Sequence, residues 1–322
     1  MKEIVIKKDE SNQRVDKYVM KYLSKASKSF VYKMLRKKRI KLNNKRIQGN
    51  EILQEKDCLQ FYMAEETIEK FSNQDNMLKP HIGITFKVLY EDDNILICHK
   101  PVGLLSQPDQ GGEVSLVDEI IAYLIQKGDY DPCITKGFRP GICNRLDRNT
   151  SGIIMSGKNL QALQELNALV ANKKIDKHYQ CVAVGHITKE NTMEGYLNKN
   201  HRHNRVEITK EQKDGHYIKT IYKPLNHNKA YSLLDVQIIT GKSHQIRAHL
   251  SSIGHPLIGD YKYGKKNVND RFKEDFGLNH QFLHAYRITF HVDTGMLTYL
   301  DGKEIIDPVD GTFKHIIERL FE

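Results

Sequence analysis

Asp147 stands between two arginines, Arg145 and Arg148, in the stretch Arg139 to Gly152, RPGICNRLDRNTSG. Pro140 and Gly141 open this stretch and Thr150-Ser151-Gly152 close it, so the aspartate belongs to a loop between two apolar runs. Two flanking guanidiniums attract negative charge, whether that of the carboxylate or of a phosphate brought to it. A lone aspartate in a loop is most often structural or merely solvated, and the two arginines tilt this one toward an ionised carboxylate or a phosphate clamp. A second stretch, 240–264, reads TGKSHQIRAHLSSIGHPLIGDYKYG. Thr240-Gly241 ends a strand, and Ser243 is placed to cap a helix over 243–253. Ile246, Leu250 and Ile253 are expected to form its buried stripe, with Arg247 beside them. Such an arginine either snorkels to the surface or meets a carboxylate or phosphate, because an unpaired buried charge is costly.

Other chemistries lack their residues. Gly111-Gly112 has no following Lys and Ser or Thr, and GxGxxG, HExxH and GxSxG are absent. The five cysteines, at 58, 98, 133, 143 and 181, form no CxxC pair and read as free thiols in a reducing compartment. His201 and His203 flank Arg202, with Arg205 close by, so a metal ion would meet positive charge there. Neither a metal nor a cofactor is expected. The start, MKEIVIKKDESNQR, lacks the apolar core of a signal peptide. No window approaches the roughly 18 apolar residues of a membrane span. The expectation is a soluble, cytoplasmic monomer with no membrane partner.

The elements that must position Asp147 and Arg247 lie in residues 81–322. Strands are predicted at 86–90, 95–98, 152–155, 179–184, 231–239 and 286–292, and helices at 115–126, 159–172 and 243–253. Strands often follow one another without a long helix between them. This favours an α+β fold with a largely antiparallel mixed sheet flanked by helices over a doubly wound one. Ahead of it, residues 1–63 predict a small α/β module of two short helices and small strands. Residues 64–80, polar and ending at Pro80, read as a linker.

Charge separates the two parts. The chain carries 50 Lys and Arg against 40 Asp and Glu, a net charge of +10. Residues 1–62 hold 17 basic and 7 acidic residues, so the whole excess lies there. Between Asp16 and Glu51 there are twelve Lys or Arg and no acid. Such a block reads as a footprint for a polyanion, since neutralising phosphates releases counterions; the alternative is a solvated basic helix face, and the absence of balancing acids favours nucleic acid. Lys33, Arg36, Lys37, Lys38, Arg39, Lys41, Lys45 and Arg46 are the candidate nucleic-acid-binding residues there, with Arg145 in the larger part.

These blocks resemble known families. "QRVDKYV", "SKSFVYKMLRKKRIKLNNKRI" and "KDCLQFYM" resemble the αL-type RNA-binding module named after ribosomal protein S-four. Members usually carry Gly where this chain has Asn44 and Lys56. In the larger part, "HKPVGLLSQP" (99–108), "NRLDRNTSG" (144–152), "KHYQCVAVG" (177–185) and the 240–264 stretch resemble, in order and spacing, the signature blocks of RluA-type pseudouridine synthases. "FLHAYRITF" (282–290) matches their usual closing strand, and the likeness covers essentially all of 86–292. Asn144 replaces a frequent His and Asn149 a frequent Asp.

The resemblance implies isomerisation of uridine in RNA to pseudouridine, without cofactor. It puts the catalytic Asp on Asp147, the active-site Tyr on Tyr179 and the ion-pairing Arg on Arg247, whose fork is expected on Asp147. Arg145 is the candidate to fill the gap left by a flipped-out base, while Lys100 and Pro101 match a structural block. A large-subunit rRNA is the expected substrate, with tRNA the alternative. Two other classes compete. A non-catalytic RNA-binding or ribosome-assembly factor would have no reason to carry the Asp, Tyr and Arg motifs together. An RNA N-glycosidase usually needs two carboxylates with split roles, and no second acid joins the constellation.

Overall fold

Short apolar stripes and tight polar turns build the N-terminal part of the computed structural model, which describes residues 1–72, 82–135, 137–200, 205–209, 211 and 215–322. His201, Arg202 and His203 lie outside the described residues, as do the side chains of 199, 200 and 205. The chain opens with strand β1 (Lys2–Val5), helices α1 (Val15–Tyr22) and α2 (Lys28–Arg36), and strands β2 (Ile40–Leu42), β3 (Lys45–Arg46) and β4 (Cys58–Phe61). Val15, Tyr18 and Val19 of α1 meet Val31 and Leu35 of α2 over the antiparallel sheet β1-β4-β2-β3. Ser27 caps α2, its Oγ accepting from Phe30 N at 3.2 Å. Asn43 and Asn44 both take left-handed φ values, 49° and 62°, the two-residue hairpin turn in which Gly is otherwise common. Lys56, the second position where Gly was expected, is left-handed too, at 70°.

Residues 65–72, expected as linker, are helix α3 (Glu65–Ser72). Ile68 is buried in the module core and the Phe71 ring lies 4.5 Å from that of Phe30. Two apolar residues three apart therefore draw this segment into the module. Residues 73–80 of the expected linker lie outside the described residues. The module also touches the larger part: Gly137 O accepts from Gln13 Nε2 and Lys21 Nζ, both at 3.1 Å.

The larger part runs β5 (Lys87–Glu91), β6 (Ile95–Lys100), α4 (Leu116–Lys127), β7 (Gly141–Ile142), β8 (Ser151–Gly157), α5 (Leu160–Ala171) and β9 (Ile175–Val184). It continues with β10 (Asn191–Asn200), β11 (Arg205–Thr209), β12 (His216–His227), β13 (Tyr231–Ile238), α6 (Gln245–Ser252), α7 (Lys266–Phe276), β14 (Leu283–Phe290), β15 (Glu304–Ile306) and α8 (Gly311–Phe321). One sheet of eleven strands, ordered β11-β10-β12-β13-β9-β14-β8-β6-β5, carries it, with β15 beside β14 and β7 beside β8. Every pairing is antiparallel except that of β8 with β14. The fold is α+β with a largely antiparallel sheet, as expected from the sequence.

Alternation places the core on both faces. Leu96, Cys98 and Ile154 join the cluster containing α4, α6 and Tyr179, while Ile95, Ile97, Ile153 and Met155 join the one containing α5. Strand β8, which leaves the Asp147 loop, is buried along its whole length. Gly152 opens its contact with β14 at a φ of 116°, where a Cβ would lie 2.2 Å from Ala285 O and 2.6 Å from Ala285 N. Gly152→Ala is therefore expected to destabilise the protein by about 1–3 kcal/mol, through backbone strain and displacement of a central strand. Denaturant unfolding measures this, and an unchanged midpoint would show that β14 moves aside at no cost.

Candidate active site

The Asp147 loop, between β7 and β8, is tied down on all sides. Ser106 Oγ accepts from Leu146 N at 3.1 Å and donates to Leu146 O at 2.7 Å. Asn144 donates through Nδ2 to Ile153 O and accepts at Oδ1 from Met155 N, stitching the loop to β8. The buried Lys100 spends its ammonium on three carbonyls, those of Pro101, Leu104 and Arg148, at 2.7–3.0 Å. Burial lowers its pKa to about 8 even with Asp147 opposing the shift. These bonds fix the loop backbone and with it the position of the Asp147 carboxylate.

Across the cavity, the turn from β13 to α6 is built on Gln245. Its Oε1 accepts from Thr240 Oγ1 and Lys242 N, and its Nε2 donates to Lys219 O and Thr220 Oγ1. Helix α6 starts two residues later than expected. His244, not Ser243, is the N-cap and takes a left-handed φ of 57°. Ile253 follows the helix and is 41% exposed, so it does not join the stripe. Gln245 through Leu250 are all buried instead, because α6 is packed on several sides.

Arg247 does meet Asp147, but not with its fork. Nε and Nη2 hold Asp260 at 2.7 and 3.0 Å, while Nη1 reaches Asp147 Oδ2 at 3.0 Å. The guanidinium also lies 5.2 Å from the centre of the Tyr263 ring. Burial works to lower its pKa, but the bonds to Asp260, and then Asp147, outweigh this and hold it above the ordinary value. His244 Nε2 stands 3.7 Å from Asp147 Oδ2, and its Nδ1 is 2.9 Å from Tyr263 Oη. Burial, with Arg247 and Lys262 adding and Asp147 opposing, lowers the His244 pKa.

Tyr179 of β9 is 7% exposed and lines the same cavity as Asp147, Arg247 and His244, with Ile238 and Leu283 as apolar walls. Among the described residues its hydroxyl has no hydrogen-bond partner. Burial, with Asp147 adding, raises its pKa far above the usual phenol range, so the phenol stays protonated at neutral pH. Three side chains separated by up to 100 residues thus converge on one small cavity.

A family model described as RNA pseudouridylate synthase matches residues 94–252, which contain all three. An uncharacterized RNA pseudouridine synthase of Mycoplasma genitalium is 30% identical over 292 residues, covering 89% of this chain and 88% of that relative. The chain belongs to the RluA-type RNA pseudouridine synthases. A ribosomal large subunit pseudouridine synthase C of Buchnera aphidicola is 28% identical over 326 residues, 98% of this chain and 96% of its own. Among solved structures, the human protein named RNA pseudouridylate synthase domain containing 4 superposes with a TM-score of 0.57 at 20% identity. It covers 72% of this chain and 92% of its own length, a likeness of fold.

This synthase is therefore an isomerase. Its second candidate surface, the basic block of the module, is spread over α2 and the β2–β3 hairpin. Lys33, Arg36, Lys37, Lys38, Arg39, Lys45 and Arg46 are exposed, and Lys41 Nζ lies 4.7 Å from the centre of the Tyr62 ring. Among the described residues none of the eight pairs with an acid. Arg145 is exposed at the cavity mouth, 3.4 Å from Gln107 Oε1. Asp260 is not among the site residues expected from the sequence, although it lies within 240–264: Gly259-Asp260 looks like a turn until a buried Arg needs a buried acid.

Among the described residues one His and Asp cluster, His99, His284 and Asp307, brings metal-type ligand atoms together. His99 Nδ1 is 2.6 Å from Asp307 Oδ2, and His284 bonds Ser151 Oγ and Asp307 O, so these atoms are engaged with one another. The cluster ties the chain after β15 to β6, β8 and β14. No helix among the described residues is long and apolar enough to cross a membrane.

Proposed function

We propose that the synthase isomerises uridines of large-subunit rRNA, with Asp147 as its reacting carboxylate. The observation that carries this is the placement of Asp147: on a loop pinned by Ser106, Asn144 and Lys100, bonded by Arg247 and facing Tyr179 across a cavity with apolar walls. A uridine flipped out of its RNA enters that cavity, and Arg145 at the mouth fills the space it leaves. Asp147 either adds to the nucleoside or removes a sugar proton. The bond from sugar to base nitrogen breaks, the base turns, and the sugar is rejoined through carbon. The isomerisation balances without oxidant, phosphate donor or water, so the proposed reaction needs no cofactor. The Tyr179 ring offers the base a stacking surface, and its protonated hydroxyl a donor.

The choice of RNA is supported by the relative named for the large ribosomal subunit, aligned over 98% of this chain. The test is to map pseudouridines in RNA from cells with and without the protein. Loss of sites in large-subunit rRNA is expected, and loss confined to tRNA overturns the proposed target.

The module is proposed to hold RNA backbone. Replacing Arg36, Lys37, Lys38 and Arg39 by Gln removes four exposed charges with no buried partner. The slope of log affinity against log salt is expected to become shallower by about 3, at roughly 0.7 per phosphate contact on single strands. An unchanged slope would show that the block does not face the RNA.

A further inference from the structure

Beside the uridine cavity lies a second one, of about 340 Å³, sharing Arg145, Leu146, Asp147, Tyr179, Ile238 and Lys242 with it. Lys177 is one of its walls. Strand alternation puts Lys177 on the same face of β9 as Tyr179, two residues and so about 7 Å along the strand. It is 8% exposed, yet its ammonium makes no hydrogen bond or ion pair among the described residues. Its neighbour Asp176 points the other way in the alternation and is engaged by Gln237 and His291. Burial, opposed by Asp176, lowers the Lys177 pKa. The side chain is buried along most of its length while its amine opens into the cavity, so its charge is left for an anion that enters there.

The charged lining of the cavity is Arg145, Lys177 and the exposed Lys242 against a single acid, Asp147, which Arg247 already bonds. The surplus is cationic. The RNA reading of the adjoining cavity brings a matching anion, because every internal nucleoside of an RNA chain has a phosphodiester on either side. We propose that Lys177, with Lys242 and Arg145 at the rim, seats one of the two phosphodiesters flanking the flipped uridine. Lys177 is then a binding residue that draws the target nucleotide onto Tyr179, and it takes no part in bond making.

The inference rests on the proposed function, and its test separates the two. Full-length protein and Lys177→Met are titrated with a short RNA bearing one unpaired uridine, across a salt series. The same RNA is also made with a neutral methylphosphonate on one side of the uridine or the other. Lys177→Met is expected to weaken binding about three- to tenfold and to reduce the salt slope by about 0.7, one phosphate contact. With one of the two methylphosphonate RNAs, wild type and variant should bind alike. Single-turnover rate should fall in step with the lost affinity at subsaturating RNA and recover toward wild type as RNA saturates, and the unfolding midpoint should not fall. Unchanged affinity and slope, or an equal loss on both neutral RNAs, overturns the seat. A lowered midpoint or slowed chemistry with intact binding overturns it too, by making Lys177 structural or reactive. Wild-type protein that binds this RNA but forms no pseudouridine in any RNA defeats the proposed function and leaves the Lys177 comparison readable.

Discussion

Asp147→Asn is expected to abolish pseudouridine formation while leaving fold and RNA affinity close to wild type. The amide keeps the shape of the carboxylate, and its oxygen can still accept from Arg247 Nη1, now 3.0 Å from Oδ2. The backbone of residue 147 is held independently, its carbonyl accepting from Thr150 N at 3.0 Å and its neighbour Leu146 bonded to Ser106. What the amide loses is the ability to act as nucleophile or base. A loss of at least about 10³-fold in single-turnover rate follows if that carboxylate does the chemistry. Tritium release from labelled uridine, read beside an RNA-binding titration, measures both halves. Wild-type turnover in Asp147→Asn would remove the carboxylate from the mechanism and leave it a loop-shaping group.

Much of this site was legible because its residues sit in short blocks with strong local signals. The Asp147 loop is bounded by Pro140-Gly141 and Thr150-Ser151-Gly152, and β8 follows as a run of apolar residues because it is buried on both faces. The partner of Arg247 was half legible. Its inward position followed from Ile246 and Leu250, but local pattern does not say which of two carboxylates takes the fork. That is decided by the turn at Gly259-Asp260, where Asp260 Oδ1 also accepts from Lys262 N and Tyr263 N and is therefore held in place as an anchor. The start of α6 was misjudged for a related reason. Ser243 has the right chemistry for a cap, but Gln245 pulls Lys242 N onto its own side chain and passes the cap to His244.

Strands β10 to β12 and helices α7 and α8 were not expected from the sequence, although α8 spaces Phe313, Ile316 and Leu320 at helical intervals and β12 turns Ile218, Thr220 and Tyr222 to one buried face. Lys177 falls within the KHYQCVAVG block, but a lysine on a strand reads as surface until the packing around it is known.

The second large effect is expected at Arg247, and it divides into stability and catalysis. Arg247→Met removes the fork from Asp260, whose side chain is fully buried, and the single bond from Asp147. Removing one member of a buried pair typically costs about 3–5 kcal/mol, so the variant should unfold at markedly lower denaturant. Loss of activity in that variant alone would then be ambiguous. The double variant Arg247→Met with Asp260→Asn resolves it. The amide removes the uncompensated buried charge while its Oδ1 still accepts from Lys262 N and Tyr263 N, so much of the stability should return. Catalysis should not, because nothing then bonds Asp147 or fixes its rotamer. Arg247→Lys makes the complementary point. One ammonium cannot hold both oxygens of Asp260 and also reach Asp147, whereas the guanidinium uses Nε and Nη2 on one and Nη1 on the other. The lysine should therefore stay with Asp260, giving a folded protein with turnover lowered about 10²-fold and RNA affinity nearly unchanged. The measurements are unfolding midpoint, RNA affinity and single-turnover rate on all three variants. If the double variant recovers turnover together with stability, Arg247 serves the fold alone, and Asp147 keeps its geometry from Ser106, Asn144 and Lys100 without it.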